Sequence, residues 1–274
     1  MVPLADAGYY VVAFDQRGYG RTTGWDNSSF VNTNLSQFAL TSVVRDVVTL
    51  VNALGYREAK CIVGHDFGAV TASRCALMRP DLFKSVVMMS HPFKAPPPLP
   101  FNTAHGESPP APPIDIQAEL ARLAVPRKHY KWYNSTSVAA SDWANPVQGL
   151  HTFLRGYLHV KSAQWEGNVP HPLKSWTAQE LAKMPHYYIM PLKKSMPETI
   201  ADMMADQDIS ATETWMPDED LAVYVQEWSR TGFQGGLNYY RIITDPSHMQ
   251  DVELFADKKN RVPKYLYLGR QRLG

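Results

Sequence analysis

The stretch Cys61-Ile62-Val63-Gly64-His65-Asp66-Phe67-Gly68-Ala69-Val70 constrains this chain more than any other. Its apolar opening reads as the end of a buried strand over 60–63, and 69–78 is small and apolar at helical spacing. The residues between allow only one sharp, strained turn, the form of a nucleophile elbow. Glycines at 64 and 68 are expected to let strand and helix approach, because a side chain at either would collide with backbone. The residue lifted above the sheet is then Asp66. A carboxylate with a pKa of about 4 is ionised at neutral pH and needs no base before it attacks. It suits an electrophilic sp³ carbon, which it would capture as an alkyl ester. Its place at a helix N-terminus adds roughly 0.3–1 kcal/mol. Asp66 could instead be a plain N-cap after a strand; the flanking glycines favour the elbow.

The surrounding pattern is that of a parallel α/β unit. Residues 1–8 read as the tail of a helix closed by Gly8. Residues 9–14 (YYVVAF) read as a strand apolar on both faces, suited to the inside of a parallel sheet. A glycine-punctuated loop over 15–21 precedes an amphipathic helix over 40–54, with Val43, Val44, Val47, Leu50, Val51 and Leu54 on one face and Gly55 ending it. Residues 85–89 make a third strand. Residues 92–113 are proline-rich and read as a stiff, extended connection. Helices are expected over 116–123, 147–160, 178–183, 197–206 and 217–231, in a region rich in tryptophan, tyrosine and methionine. Residues 262–268 return to a strand. This divides the chain into core residues 1–93, a connection and helical cap over 94–243, and a return to the core over 244–274.

From these elements the residues resemble the epoxide hydrolases of the α/β-hydrolase superfamily, most closely in the wording of fungal members. The resemblance rests on Phe14-Asp15-Gln16-Arg17-Gly18-Tyr19-Gly20, on Gly64-His65-Asp66-Phe67-Gly68, on His129-Tyr130-Lys131-Trp132-Tyr133, and on the run from Thr231 to Arg241, TGFQGGLNYYR. It implies an α/β-hydrolase core, a parallel sheet with flanking helices, plus a helical cap. It also implies roles. Asp66 would be the nucleophile, the Phe67 N–H half of an oxyanion hole, and Gly64, His65 and Gly68 the frame of the elbow. Tyr130 and Tyr240 would hold the oxygen of a small apolar epoxide, which opens to a vicinal diol. A phenol with a pKa of about 10 can donate at neutral pH.

The family pattern is expected to be incomplete at both ends. A His-Gly-x-Pro stretch would precede residue 1, and an acid and base would follow the last strand, where the chain reads Gly269-Arg270-Gln271-Arg272-Leu273-Gly274. His91, His171, His186 and His248 are the histidines available as substitutes, and none stands out. A truncated chain of this kind is expected to alkylate once and stall. A haloalkane dehalogenase is a second reading, with Trp132 and Asn238 as halide donors; a non-catalytic ligand-binding remnant is a third.

Composition excludes other classes. A net charge of +1 gives no case for nucleic acid. No apolar run approaches the roughly 18 residues of a membrane span. Cys61 and Cys75 read as buried free thiols, in keeping with a reducing, cytoplasmic setting. No metal-ligand spacing and no phosphate loop appears, so no cofactor is expected. A homodimer is left open.

Overall fold

A computed structural model describes residues 1–96, 99 and 114–268. The first part of the chain builds α1 (Val2–Asp6), α2 (Leu40–Ala53), β1 (Ile62–His65), α3 (Phe67–Met78) and β2 (Val86–Met89). Then follow α4 (Ile116–Ala121), β3 (Arg127–His129), α5 (Tyr130–Asn134), α6 (Ala139–Ala144), α7 (Leu150–Val160), α8 (Ala178–Leu181), β4 (Ile189–Pro191), α9 (Met196–Met204) and α10 (Asp218–Thr231). The last elements are α11 (Gln234–Thr244), α12 (Gln250–Glu253) and β5 (Lys264–Tyr267). No helix among the described residues is long and apolar enough to cross a membrane.

Three strands form a parallel sheet in the order β1-β2-β5, with His65 opposite Met89 and Met89 opposite Tyr267. Small residues bring α3 onto this sheet: Ala69, Ala72 and Ala76 pack against Val86 and Met88. On the other side of α3, Cys75 meets Val44 and Val47 of α2 together with Leu82 and Phe83. Burying each large apolar side chain contributes about 1.5–3 kcal/mol. The helical cap has its own core, in which Trp143, Phe153, Met190, Ile200, Leu221 and Phe233 meet. A short antiparallel pair, β3–β4, runs through it, with Lys128 opposite Met190.

Two expectations fail here. Residues 9–14 are not a buried strand: they belong to no sheet among the described residues, and Tyr10 and Val12 are 69% and 43% exposed. A strand exists only as half of a ladder, and β1 pairs with β2 alone, so the apolar run has nothing to pair with. Cys61 is exposed for the same reason, because it leads into the open edge of β1; Cys75 is buried, and both are free thiols. The connection over 92–113 lies largely outside the described residues, as does 269–274.

Core and cap are joined through glycines. A Cβ on Gly18 would lie 2.6 Å from the Gly235 carbonyl, and one on Gly235 would lie 2.6 Å from the Gly18 oxygen. Gly236 is held against the Tyr19 ring, where a Cβ would lie 2.9 Å from it. The Arg17 guanidinium anchors the loop from behind through two bonds to Asp46, at 2.6 and 2.5 Å, and one to the Gln37 carbonyl at 2.7 Å. Helix α11 starts from this contact, and the Tyr239 hydroxyl donates back to the Arg17 carbonyl at 3.0 Å. Gly235→Ala is therefore expected to destabilise the fold by about 1–3 kcal/mol, since the Gly18 backbone and the Trp25 ring both stand in the way. Calorimetry checks this, and an unchanged melting temperature would refute it.

Candidate active site

Strand β1 ends at His65 and α3 begins at Phe67, leaving one residue for the turn. Asp66 takes φ 54° and ψ −120°, a backbone state that costs a non-glycine residue roughly 1–3 kcal/mol. Gly64 makes the turn sterically feasible: a Cβ there would lie 2.0 Å from the Gly68 carbonyl oxygen. Gly68 differs from expectation. The nearest atom to a Cβ on it is Gln16 Nε2 at 3.9 Å, so the close approach is between the Gly64 Cα and the Gly68 backbone. His65 is exposed at the end of the strand.

The Asp66 carboxylate is exposed and accepts the Phe67 N–H at 2.8 Å through Oδ1. It is thus an N-cap and an elbow tip at once. The bond engages Oδ1 and not Oδ2. It also sets the Phe67 N–H beside the oxygen that becomes negative if the resulting ester is itself attacked.

Tyr130 is placed by the cap's small sheet: its N–H donates to the Tyr188 carbonyl at 2.8 Å, directly after β3. His129 caps the helix that follows, accepting the Lys131 N–H at 3.3 Å, and burial with the Lys131 ammonium pushes its imidazole down to about 3. Tyr240 comes from α11. Its ring lies edge-on to Phe67 at 4.9 Å and edge-on to Tyr130 at 5.7 Å. Burial raises both phenols well above the ordinary tyrosine value, and the Asp66 carboxylate raises both further. Both remain proton donors throughout the neutral range. The fold thus gathers Asp66, Phe67, Tyr130 and Tyr240 from three separated stretches of sequence.

Comparison with known proteins bears on the fold. A family model described as the alpha/beta hydrolase fold matches residues 1–105. An epoxide hydrolase of Caballeronia sordidicola is 27% identical over 241 residues, covering 88% of this chain and 58% of that protein. Epoxide hydrolase B of Mycobacterium tuberculosis is 29% identical across 98% of this chain and 70% of its own length. The structure of potato (Solanum tuberosum) epoxide hydrolase I superposes with a TM-score of 0.64 at 25% identity, covering 99% of this chain and 69% of that one. The chain has the α/β-hydrolase fold and is similar to epoxide hydrolases. It spans between about half and about two thirds of the length of these relatives.

The halide donors expected for a dehalogenase face elsewhere. Trp132 and Asn238 each stand two residues from a site tyrosine, about 200° round a helix. Trp132 packs against the cluster of Ile116, Leu120 and Leu181. The Asn238 carbonyl accepts from Gln234 and Arg241 at 2.8 and 3.1 Å. A cavity of about 810 Å³ elsewhere in the cap, bordered by Lys128, Tyr133 and Glu198, includes neither Asp66 nor Tyr240. Among the described residues no group of three or more His, Cys, Asp or Glu could hold a metal ion.

Two further residues, which the sequence did not single out, lie beside Tyr130. The Tyr157 phenol, on α7, is raised well above its ordinary value by burial, with Tyr130, Tyr188 and Asp66 adding to it. One turn on, the Lys161 ammonium lies 5.0 Å from the Tyr157 ring centre, 4.8 Å from Tyr188, 5.1 Å from Tyr187 and 5.9 Å from Tyr130. A cation among four ring faces fixes their packing around it. The spacing of Phe153, Tyr157 and Lys161 along one helical face was the available signal.

Proposed function

We propose that this protein opens small apolar epoxides through an alkyl ester on Asp66. Attack by Oδ2 on a ring carbon breaks the carbon–oxygen bond, and the oxygen leaves as an alkoxide. Tyr130 and Tyr240 donate to that oxygen as its charge develops, which is where a donor lowers the barrier. The observation that carries this reading is the meeting of two phenols, from opposite ends of the cap, beside a carboxylate held on a strained turn. A passive binding pocket has no need of a carboxylate held at that energetic cost. The aromatic walls of Phe67, Tyr130 and Tyr240 suit an aryl or alkyl epoxide.

In this reading Asp66, Tyr130 and Tyr240 carry the ring-opening half of the reaction. The position at which the family resemblance would place the acid, within 269–274, lies outside the described residues. Incubation with styrene oxide followed by intact-mass measurement and peptide mapping tests the proposal, and an adduct on Asp66 is the expected result. A haloalkane offered in the same way tests the dehalogenase alternative. Absence of any adduct or diol with styrene oxide and a panel of aliphatic epoxides would leave the binding-remnant reading in its place.

The tyrosines give a graded expectation. Tyr130→Phe or Tyr240→Phe alone slows adduct formation roughly 10²–10³-fold, the usual cost of losing one oxyanion donor. The double variant loses more than either. Rapid quench with mass detection measures both, and a double variant that reacts at the parent rate would rule out phenol assistance.

A further inference from the structure

Ring opening moves a negative charge. Before it, the charge sits on the Asp66 carboxylate at the exposed tip of the elbow. Once Oδ2 bonds to carbon, the carboxylate is a neutral ester and the ring oxygen carries the electron pair away as an alkoxide. An aliphatic alkoxide is far more basic than a phenolate, so it takes a phenolic proton. The charge therefore ends on a phenol of the cap, where burial is the main force against it. A charge in such a place is costly unless an opposite charge waits for it.

The two phenols differ in this respect. The Lys161 ammonium lies 5.9 Å from the centre of the Tyr130 ring and 4.8 Å from that of Tyr188, which packs against Tyr130 at 5.2 Å. Lys161 is the C-cap of α7, where a cation complements the free carbonyls of the last turn. Tyr157, one turn back, and Tyr187 complete the enclosure at 5.0 and 5.1 Å, and the Tyr187 hydroxyl is committed to Asn168 Oδ1 at 2.7 Å. The rings fix the ammonium on the Tyr130 side. The Tyr240 ring meets Phe67 and Tyr130 instead, and among the described residues no ammonium or guanidinium sits over it. Lys131, the next residue after Tyr130, faces Lys94 and Asp66. It is matched to the charge before ring opening, and Lys161 to the charge after it.

We infer that Tyr130 is the phenol that gives up its proton, and that Lys161 is the positioning residue that selects it by holding the phenolate. This rests on the alkyl-ester reading above. Tyr240 donates a hydrogen bond to the same oxygen and keeps its proton. One carbon–oxygen bond forms at Asp66 and one breaks in the ring. One proton passes from Tyr130 to the alkoxide. The single negative charge that began on Asp66 ends on Tyr130, beside Lys161.

The competing account makes Lys161 a packing residue, a cation filling a ring of aromatic faces at a helix end. The two accounts part when one hydroxyl is removed. Tyr130→Phe keeps the ring, and with it the packing of the ammonium, and deletes only the atom that takes the charge.

A double-mutant cycle on the full chain makes the test, reading formation of the Asp66 adduct with styrene oxide by rapid quench and mass detection. Lys161→Met keeps an unbranched stem and removes the charge. It is expected to slow adduct formation about tenfold in the parent and in Tyr240→Phe, the scale of a desolvated cation at an aromatic ring. In Tyr130→Phe it is expected to change nothing. The styrene oxide concentration at half saturation should stay the same throughout, because the unopened epoxide carries no charge. A second measurement leaves Lys161 in place. In Tyr240→Phe, a tyrosinate ultraviolet absorbance should rise together with the adduct. Equal slowing by Lys161→Met in both tyrosine backgrounds would reduce Lys161 to packing and overturn the proposal. So would adduct formation by Lys161→Met at the parent rate, or an adduct in Tyr240→Phe with no tyrosinate signal. No adduct in the parent would overturn the Asp66 reading itself, and the role of Lys161 with it.

Discussion

Asp66→Asn abolishes the covalent adduct with styrene oxide, lowering its rate of formation by on the order of 10⁴-fold or more, as losing a nucleophile does elsewhere. The substitution isolates chemistry from structure. Asparagine is as good an N-cap as aspartate, and its carbonyl can keep the Phe67 N–H that Oδ1 now accepts at 2.8 Å. It also tolerates the positive φ of 54° that most side chains do not. Stability should therefore change by less than about 1 kcal/mol. What disappears is the negative charge on the second oxygen, and with it both the nucleophile and a source of the raised phenol values at Tyr130 and Tyr240. Intact-mass kinetics with a parallel melting curve makes the measurement. An Asp66→Asn protein that is alkylated at another carboxylate at the parent rate would refute the assignment.

Gly64→Ala produces the largest loss of stability. The added carbon would lie 2.0 Å from the Gly68 carbonyl oxygen and 2.5 Å from the Ala69 nitrogen, all of it backbone at the start of α3. No rotamer relieves this, so either α3 slides off Val86 and Met88 or the turn at Asp66 opens. A cost of about 3–5 kcal/mol is expected, near the upper end for single substitutions. In a chain of this size that lowers the melting temperature by roughly 10 °C. Gly68→Ala is the control, because its Cβ would meet only Gln16 Nε2 at 3.9 Å. Equal melting temperatures for the two variants would show that the tight contact at Gly64 does not hold the elbow.

These contrasts explain which features were legible in the sequence. The elbow could be read because everything that forces it lies within a few consecutive residues, and periodicity located α2, α3 and the longer cap helices to within a few positions. Residues 9–14 could not be read correctly, because their composition says only that they would fit a sheet, and a sheet needs a neighbour. The same open edge exposes Cys61. Strands β3 and β4 are three residues each, too short for an alternating pattern to register, yet they are what pins Tyr130. Helix α11 begins with two glycines, poor helix formers, and exists there because Gly18 and Tyr19 leave room for nothing larger. Helical spacing puts Tyr157 and Lys161 on one face, but only packing brings that face to Tyr130. The phase of Trp132 and Asn238 against their neighbouring tyrosines, by contrast, was available from helical spacing.

The glycine contact between Gly18 and Gly235 makes α11 a shared beam. Phe233 at its N-cap, with Leu237 and Tyr240, packs into the same apolar cluster as Tyr130, Tyr133, Trp143 and Phe153. Its Gly235 and Gly236 rest on Gly18 and Tyr19. The loop behind the elbow and the helical cover are thus clamped to one element, so a bulge at that contact would disturb the sheet side and the tyrosine side together.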